Sequence, residues 1–316
     1  MQLGECGGFC IEKQIAAGDC IACNSAIALS INLTDAGLRE VNREGKCFMR
    51  YGRRIFLAAL SVASLALLPP AHSQDASRAS HLNRILDTGT VRVGTTGDFP
   101  PMTSRDPETK NYVGYDIDAA NELGKDLGVK VQFVPTDWKT LINGIVADKY
   151  DIVMSGVSMS LERAKVAGFT QPYFEFATVP VTRKKNADRF KSWADIDQKG
   201  VSVATTLGTV FDVQARDFFK SATLRQVEAP ALGFQEVLSG RADVTITSNV
   251  DAAALVSRYP ELAIVPVDNP RARRPASFLM PQNDAVWINY MNSWITIKRM
   301  LGFFDQLDKK WLQAKN

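Results

Sequence analysis

From Leu82 onward, apolar positions along the chain switch repeatedly between a helical and a strand spacing. Leu82–Leu86 reads as a short helix stopped at Thr88-Gly89, and Val91-Arg-Val-Gly alternates as a strand before the turn-rich Thr95–Pro101. Tyr115–Leu127 places Ile117, Ala120, Leu123 and Leu127 on one helical face and stops near Gly128. Val129–Val134 follows as a strand, Leu141–Ala147 as a helix and Asp151–Val157 as a buried strand. This rhythm predicts a βαβ sheet with helices on its faces.

The pattern changes around Thr178–Arg183, an extended Val-Pro-Val-Thr leading into the polar run Arg183–Arg189. A second series then starts. Strands are expected at Val201–Thr205, Leu224–Val227, Asp243–Thr247 and Ile264–Val267. Helices are expected at Asp212–Lys220, Ala231–Leu238 and Ala252–Arg258. After a loop over Pro270–Pro275, Ser277–Met280 is again extended. Asp284–Leu301 reads as a long helix with the stripe Trp287, Tyr290, Met291, Trp294, Ile297 and Leu301. Two α/β lobes linked by two extended segments enclose a cleft, and ligands of such sheets sit at the carboxyl ends of the strands.

Composition narrows the chemistry. The chain has 316 residues, enough for two domains, with 37 Lys and Arg against 34 Asp and Glu. That balance argues against a nucleic-acid binder working through bulk positive charge. No apolar run reaches the roughly 18–20 residues of a membrane-spanning helix, which excludes a multi-span transporter. All five cysteines (Cys6, Cys10, Cys20, Cys23 and Cys47) precede residue 50, and the two histidines are His72 and His81. Cys/His metal chemistry, a thiol nucleophile and a Ser-His-Asp triad therefore lack partners in the main body. Cys20-Ile-Ala-Cys23 has redox or zinc-pair spacing, without a second pair beside it.

Residues 50–73 carry Arg50, Arg53 and Arg54, an apolar run from Ile55 to Leu68, then Pro69-Pro70 and Ala71-His72-Ser73. That is the plan of an export signal cut after Ser73, with Met49 directly before it. Residues 49–73 are thus expected to be a signal peptide, and 1–48 a leader or an upstream start that is not used. Arg53-Arg54-Ile55-Phe56-Leu57 also resembles a twin-arginine signal. A cysteine-free body behind such a signal suits an oxidising compartment, the periplasm.

The densest cluster of chemistry is Ser155-Gly-Val-Ser158-Met-Ser160-Leu-Glu-Arg163, followed by Phe169-Thr-Gln-Pro172-Tyr173. A strand running into hydroxyl residues and a helix start with an arginine can bind a carboxylate through the guanidinium and free N–H groups. Arg163 equally reads as a surface residue pairing with Glu162 or Asp188.

Asp151-Ile-Val-Met-Ser-Gly-Val-Ser-Met-Ser-Leu-Glu-Arg163, with Phe-Thr-Gln-Pro-Tyr173, resembles the polar-amino-acid family (family 3) of periplasmic solute-binding proteins. Val91–Gly94, Val113-Gly-Tyr-Asp116-Ile-Asp118 and Gly240-Arg-Ala-Asp243 match it as well. Within that family, Gly94-Thr-Thr-Gly-Asp-Phe99-Pro and Pro135-Thr-Asp-Trp138 look most like the secreted cyclohexadienyl dehydratases. The resemblance implies a two-lobed α/β clamshell, lobe I being 82–182 plus 277–316 and lobe II 183–276, joined by two hinge strands. It implies that Arg163 holds a ligand carboxylate, helped by Ser155 and by backbone at Gly156 and Ser158. Phe99 and Trp138 become aromatic walls, a role their chemistry suits, although they read equally as core aromatics. Thr209, Asp212 and Ser248 would close from the other lobe.

The second lobe departs from the family pattern. Val210 lacks the hydroxyl usual in Gly208-Thr209-Val210, and Ser248 stands where an amino-group carboxylate is usual. Either the ligand has no α-ammonium, or another acid, Asp98, Asp212 or Asp251, supplies the counter-charge. The resemblance implies an import-system binding component for a small carboxylate, partnered by an ABC permease and its ATPase, with no cofactor. The alternative is a dehydratase of prephenate or arogenate in which Asp212 acts as general acid.

Overall fold

The alternating series builds two sheets, seen in a computed structural model that describes residues 80–313. The expected leader (1–48) and signal peptide (49–73) lie outside the described residues. Helix α1 (His81–Thr88) leads into β1 (Thr90–Thr95). β2 (Asp98–Phe99), β3 (Thr103–Arg105) and β4 (Tyr112–Val113) form a small antiparallel sheet within the segment expected to be turns. Helix α2 (Tyr115–Leu127), β5 (Lys130–Pro135), α3 (Leu141–Val146), β6 (Ile152–Val153), α4 (Leu161–Ala164) and β7 (Gly168–Phe169) complete this half.

The second half holds β8 (Phe174–Arg183), α5 (Trp193–Ile196), β9 (Ser202–Thr206), α6 (Val210–Phe218), β10 (Thr223–Val227) and α7 (Gly233–Ser239). It continues with β11 (Val244–Ser248), α8 (Asn249–Arg258), β12 (Leu262–Ile264) and β13 (Arg271–Ala276). The chain then returns through β14 (Leu279–Met280) to α9 (Ala285–Met300) and α10 (Phe303–Trp311). One sheet has the order β5-β1-β6-β14-β7, and the other β10-β9-β11-β8-β12 with β13 on β8. β1 runs parallel to β5 and β6, and β9 parallel to β10 and β11, as βαβ crossovers require.

Two differences from the sequence reading matter. Strand β8 is hydrogen-bonded into the second sheet along its length, so the change of sheet falls before Phe174 rather than at the expected 182/183 boundary. The polar run at Arg183–Arg189 is a helical turn at the far end of that strand, not the lobe boundary. The Pro270–Pro275 segment is a strand, not a loop: β13 pairs antiparallel with β8 through an irregular register. Its Arg-Ala-Arg-Arg-Pro-Ala sequence shows no apolar alternation because an edge strand is held by backbone pairing, and an edge tolerates proline.

The two crossings lie side by side. Thr170 N–H donates to Phe278 O at 3.1 Å, Phe278 N–H to Thr170 Oγ1 at 3.0 Å and Tyr173 N–H to Ala276 O at 3.0 Å. The first lobe packs Val91, Ile152, Met154, Phe278, Trp287 and Met291 into one core. The second is covered on both faces, by Phe190, Trp193 and Ile246 on one and by Val181, Val237 and Leu255 on the other. On α9 the buried stripe is Trp287, Met291, Trp294 and Ile295, whereas Ile297 and Leu301 face solvent. The helix ends at Met300, where the chain turns into α10, so the expected stripe does not run to its last turn.

Trp287 joins this helix to the sheet, because its fully buried indole Nε1–H donates to Asp151 O at 3.0 Å. Trp287→Ala is expected to cost about 3–5 kcal/mol, read from urea unfolding of the purified protein.

Candidate functional site

The carboxyl edges of the two sheets face one another across a cavity of about 60 Å³. At about 30 Å³ per water molecule it has room for roughly two waters, so a larger ligand requires the lobes to part. Of the residues expected at a site, Phe99, Trp138, Gly156, Ser158, Arg163 and Thr209 line it. Thr206, Val210, Phe211, Leu232, Gly233 and Phe234 close it from the second lobe, and Asp98 and Asp251 add two carboxyl groups.

Arg163 sits in the short helix α4, whose start Ser160 caps by accepting from Arg163 N–H at 3.3 Å. The side chain is buried, 7% exposed, and pairs with neither Glu162 nor Asp188. Its guanidinium donates to Ser158 O at 3.0 Å in its own lobe and to Gly208 O at 3.0 Å in the other. Desolvation, together with the charge of Arg274 on β13, pulls its pKa down to about 10. Two carbonyls satisfy some of its donors and leave its charge without a counter-ion among the described residues.

Backbone approach shapes this end of the cavity. Gly156 has φ +64°, and a Cβ there would lie 2.7 Å from the Phe99 ring. Its N–H is engaged by Asp116 Oδ2 at 2.6 Å, which also accepts from Tyr173 Oη–H at 2.9 Å. Gly208 has φ +82°, and a Cβ there would lie 2.6 Å from the Trp138–Lys139 backbone, so the second lobe closes directly onto the first at this point. An ion pair between Lys139 and Glu228 at 3.0 Å spans the same seam.

Phe99 and Trp138 meet edge to face at 5.7 Å, and Phe211 approaches Phe99 at 6.4 Å from the opposite lobe. Val210 and Phe211 belong to the first turn of α6, where backbone N–H groups have no intrahelical acceptor. Thr209 caps this helix, accepting from Asp212 N–H at 3.3 Å and donating to Thr206 O at 2.7 Å.

Three expected residues stand elsewhere. Ser155 is fully buried under the cavity, where its hydroxyl accepts from Thr96 N–H at 3.0 Å and pairs with Thr96 Oγ1 at 2.7 Å. Ser248 caps α8, accepting from Asp251 N–H at 3.0 Å, so its hydroxyl is committed to backbone. Asp212 does not line the cavity, and its carboxylate accepts from Thr205 Oγ1 at 3.0 Å, Gln226 Nε2 and Arg216 Nη2. An acid ion-paired one turn along its own helix is not placed to protonate a leaving group in the cleft. That corrects the general-acid assignment.

The acids that do face the cleft are differently placed. Asp98 accepts from Trp138 Nε1–H at 2.9 Å, and burial raises its pKa. Asp251 accepts from Thr247 Oγ1–H at 2.6 Å, and burial, with the nearby charge of Asp98, pushes it up to about 7. The aromatic Phe211 and the segment Leu232–Phe234 were not anticipated as lining. Helices that follow β9 and β10 must begin at the carboxyl edge of the sheet, and that topological rule is the signal that marks them. His81, Asp148 and Asp151 cluster elsewhere, but Arg84 and Arg92 already pair with both carboxylates, so two cations occupy the place a metal would need.

A model of the bacterial extracellular solute-binding proteins, family 3, matches residues 91–314. The chain is 34% identical over 255 residues to a cyclohexadienyl dehydratase of Pseudomonas aeruginosa, covering 81% of this chain and 94% of that protein. It is 24% identical over 263 residues to the L-cystine-binding protein TcyJ of Escherichia coli, covering 83% and 96%. The crystal structure of the ancestral amino acid-binding protein AncCDT-1, a precursor of cyclohexadienyl dehydratase, superposes with a TM-score of 0.69 at 37% identity, over 74% of this chain and 100% of that one. An ancestral arginine-binding protein bound to arginine superposes with a TM-score of 0.64 at 32% identity, over 71% and 99%.

Two outcomes test this geometry. Asp116 is buried, and its pKa is also pushed up to about 7 by desolvation, against an ordinary 3.8. Between those values the unfolded chain releases a proton that the folded chain keeps, so stability falls as pH rises from about 4 to 7 and levels off above. Asp116→Asn should reduce that slope in pH-dependent urea unfolding. Gly208→Ala, which strains φ and opens the seam, should weaken ligand binding about tenfold, or about 1.4 kcal/mol. It should also enlarge the radius of gyration measured by small-angle scattering.

Proposed function

The chain belongs to the bacterial extracellular solute-binding proteins, family 3, and from that premise we propose that it binds an amino acid between its two lobes. The observation that carries this reading is the buried guanidinium of Arg163, which has no carboxylate partner among the described residues and lines a cavity holding carboxyl groups as well. A zwitterion matches both charges. Its carboxylate takes Arg163, the Ser158 hydroxyl and the first-turn N–H groups of α6, while its ammonium takes an acid. Ser248 is spent on a helix cap, so that acid is Asp98 or Asp251. Phe99, Trp138 and Phe211 pack on the apolar part of the ligand.

Arg163 reaches carbonyls in both lobes and the crossings lie together, so binding proceeds by hinge closure, with the closed form selected by contacts to both halves. The division into lobes follows the sheets, with Ser80–Tyr173 and Ser277–Gln313 in one and Phe174–Ala276 in the other. As a delivery component the protein works outside the inner membrane, exported by the segment 49–73, and hands its ligand to an ABC permease driven by its ATPase. Relatives named for binding amino acids, L-cystine and arginine support the ligand class.

The 34% identity to a cyclohexadienyl dehydratase supports a second reading. Conversion of prephenate to phenylpyruvate protonates the leaving hydroxyl, so that water and carbon dioxide depart as the ring aromatises. With Asp212 bound to Arg216, the acids available in the cleft for that proton are Asp98 and Asp251, of which Asp251 is pushed up to about 7.

Thermal-shift and calorimetric screening against amino acids is expected to reveal a stabilising ligand. Arg163→Ala should reduce its affinity at least about a hundredfold, or about 2.7 kcal/mol. Incubation with prephenate is expected to give no phenylpyruvate absorbance, and turnover abolished by Asp251→Asn would replace the binding reading with the enzymatic one.

A further inference from the structure

A second concentration of charge lies away from the cleft. The polar run at the end of β8 begins with three consecutive cations, Arg183, Lys184 and Lys185. Thr178 of β8 pairs with Ser248, at the cleft edge of the second sheet, and Thr182 pairs with Val244 at the opposite edge. Arg183 therefore stands roughly 17 Å along the strand from Thr178. There the three cations line an open pocket of about 570 Å³ together with Leu238 and Glu261.

The basic residues on either side are already matched, Arg189 with Asp243 at 3.0 Å and Arg241 with Glu236 at 2.6 Å. Arg183, Lys184 and Lys185 have no ion-pair partner among the described residues. The Arg183 guanidinium is seated over the end of α7, where a Cβ on Gly240 (φ +82°) would come within 2.4 Å of Nη1. It makes no hydrogen bond among the described residues, and its Nε–H is shut off from water as well. A donor left without an acceptor in such a place is costly.

We propose that this pocket is a second binding site, for a phosphate monoester that carries a free hydroxyl. Three cations against the single carboxylate of Glu261 leave two positive charges, and a phosphate monoester carries close to two negative charges near neutral pH. Guanidinium and ammonium donors suit its three terminal oxygens. Glu261 accepts from the hydroxyl, while Leu238 and the lysine stems cover the carbon skeleton. A simple carboxylate brings half the charge and fewer oxygens. The site stands apart from the cleft, so it holds whether or not the amino-acid reading does.

Calorimetric titration of the purified protein with glycerol 3-phosphate at about pH 7.5, where the ester is doubly charged, reads the site directly. Glycerol 3-phosphate is expected to bind at least about tenfold more tightly than inorganic phosphate, and glycerol not at all. Replacing both exposed lysines, Lys184→Ala with Lys185→Ala, should weaken it at least about tenfold, and Arg183→Gln should do the same. The thermal shift given by the amino acid found in the screen above should not change in the lysine variant. Flotation with vesicles of phosphatidylglycerol or phosphatidylcholine separates a soluble ester from a membrane surface. No binding of glycerol 3-phosphate, equal affinity for inorganic phosphate, or an affinity indifferent to the two lysines would overturn the site. Capture by phosphatidylglycerol vesicles without binding of glycerol 3-phosphate would also overturn it, and would assign the patch to an anionic lipid surface.

Discussion

A guanidinium withdrawn from water with no carboxylate beside it is an unstable arrangement unless the surroundings supply something in exchange. Among the described residues, Arg163 is in that state. Its hydrogen bonds go to the carbonyls of Ser158 and Gly208, which satisfy donors but carry no full charge, and Arg274 adds a second cation behind it. The rest of the cleft is arranged around this. Gly156 lets Phe99 approach, Gly208 lets the second lobe reach the guanidinium, and Ser160 caps the helix that presents it. A structural ion pair would have made such precision unnecessary.

The opposite sign gathers around Asp98 and Asp251, with an aromatic wall of Phe99, Trp138 and Phe211 alongside. The cavity is therefore a fixed dipole with an apolar side.

Much of this was legible because short local patterns carried it. The βαβ rhythm gave both sheets, and Ser-Gly-Val-Ser…Arg163 marked the cation because small hydroxyl residues at a strand end have few other uses. Other features depended on tertiary contacts that local sequence does not encode. Asp212 and Asp251 occupy the same position after a capping Thr209 and Ser248, yet Arg216, Thr205 and Gln226 claim the first while the second faces the cleft. Ser155 and Ser158 lie on one short segment after β6, and only the packing of Thr96 decides which hydroxyl is consumed inside the lobe. Phe211 and Phe234 are marked only by the place of their helices after β9 and β10, since an apolar residue at a helix start by itself reads as core. β13 was invisible for the reverse reason, being polar in sequence and a strand through its neighbour alone.

The paired crossings have a mechanical corollary. Because Thr170 and Phe278 are stitched to each other through backbone and hydroxyl, the two connectors cannot slide independently. Relative movement of the halves is reduced to flexing about a single line, as with a book bound along one spine. In the proposed hinge closure, each shutting would return Gly208 to the same spot against Trp138, with repeatability built into the connectors rather than entrusted to the rims.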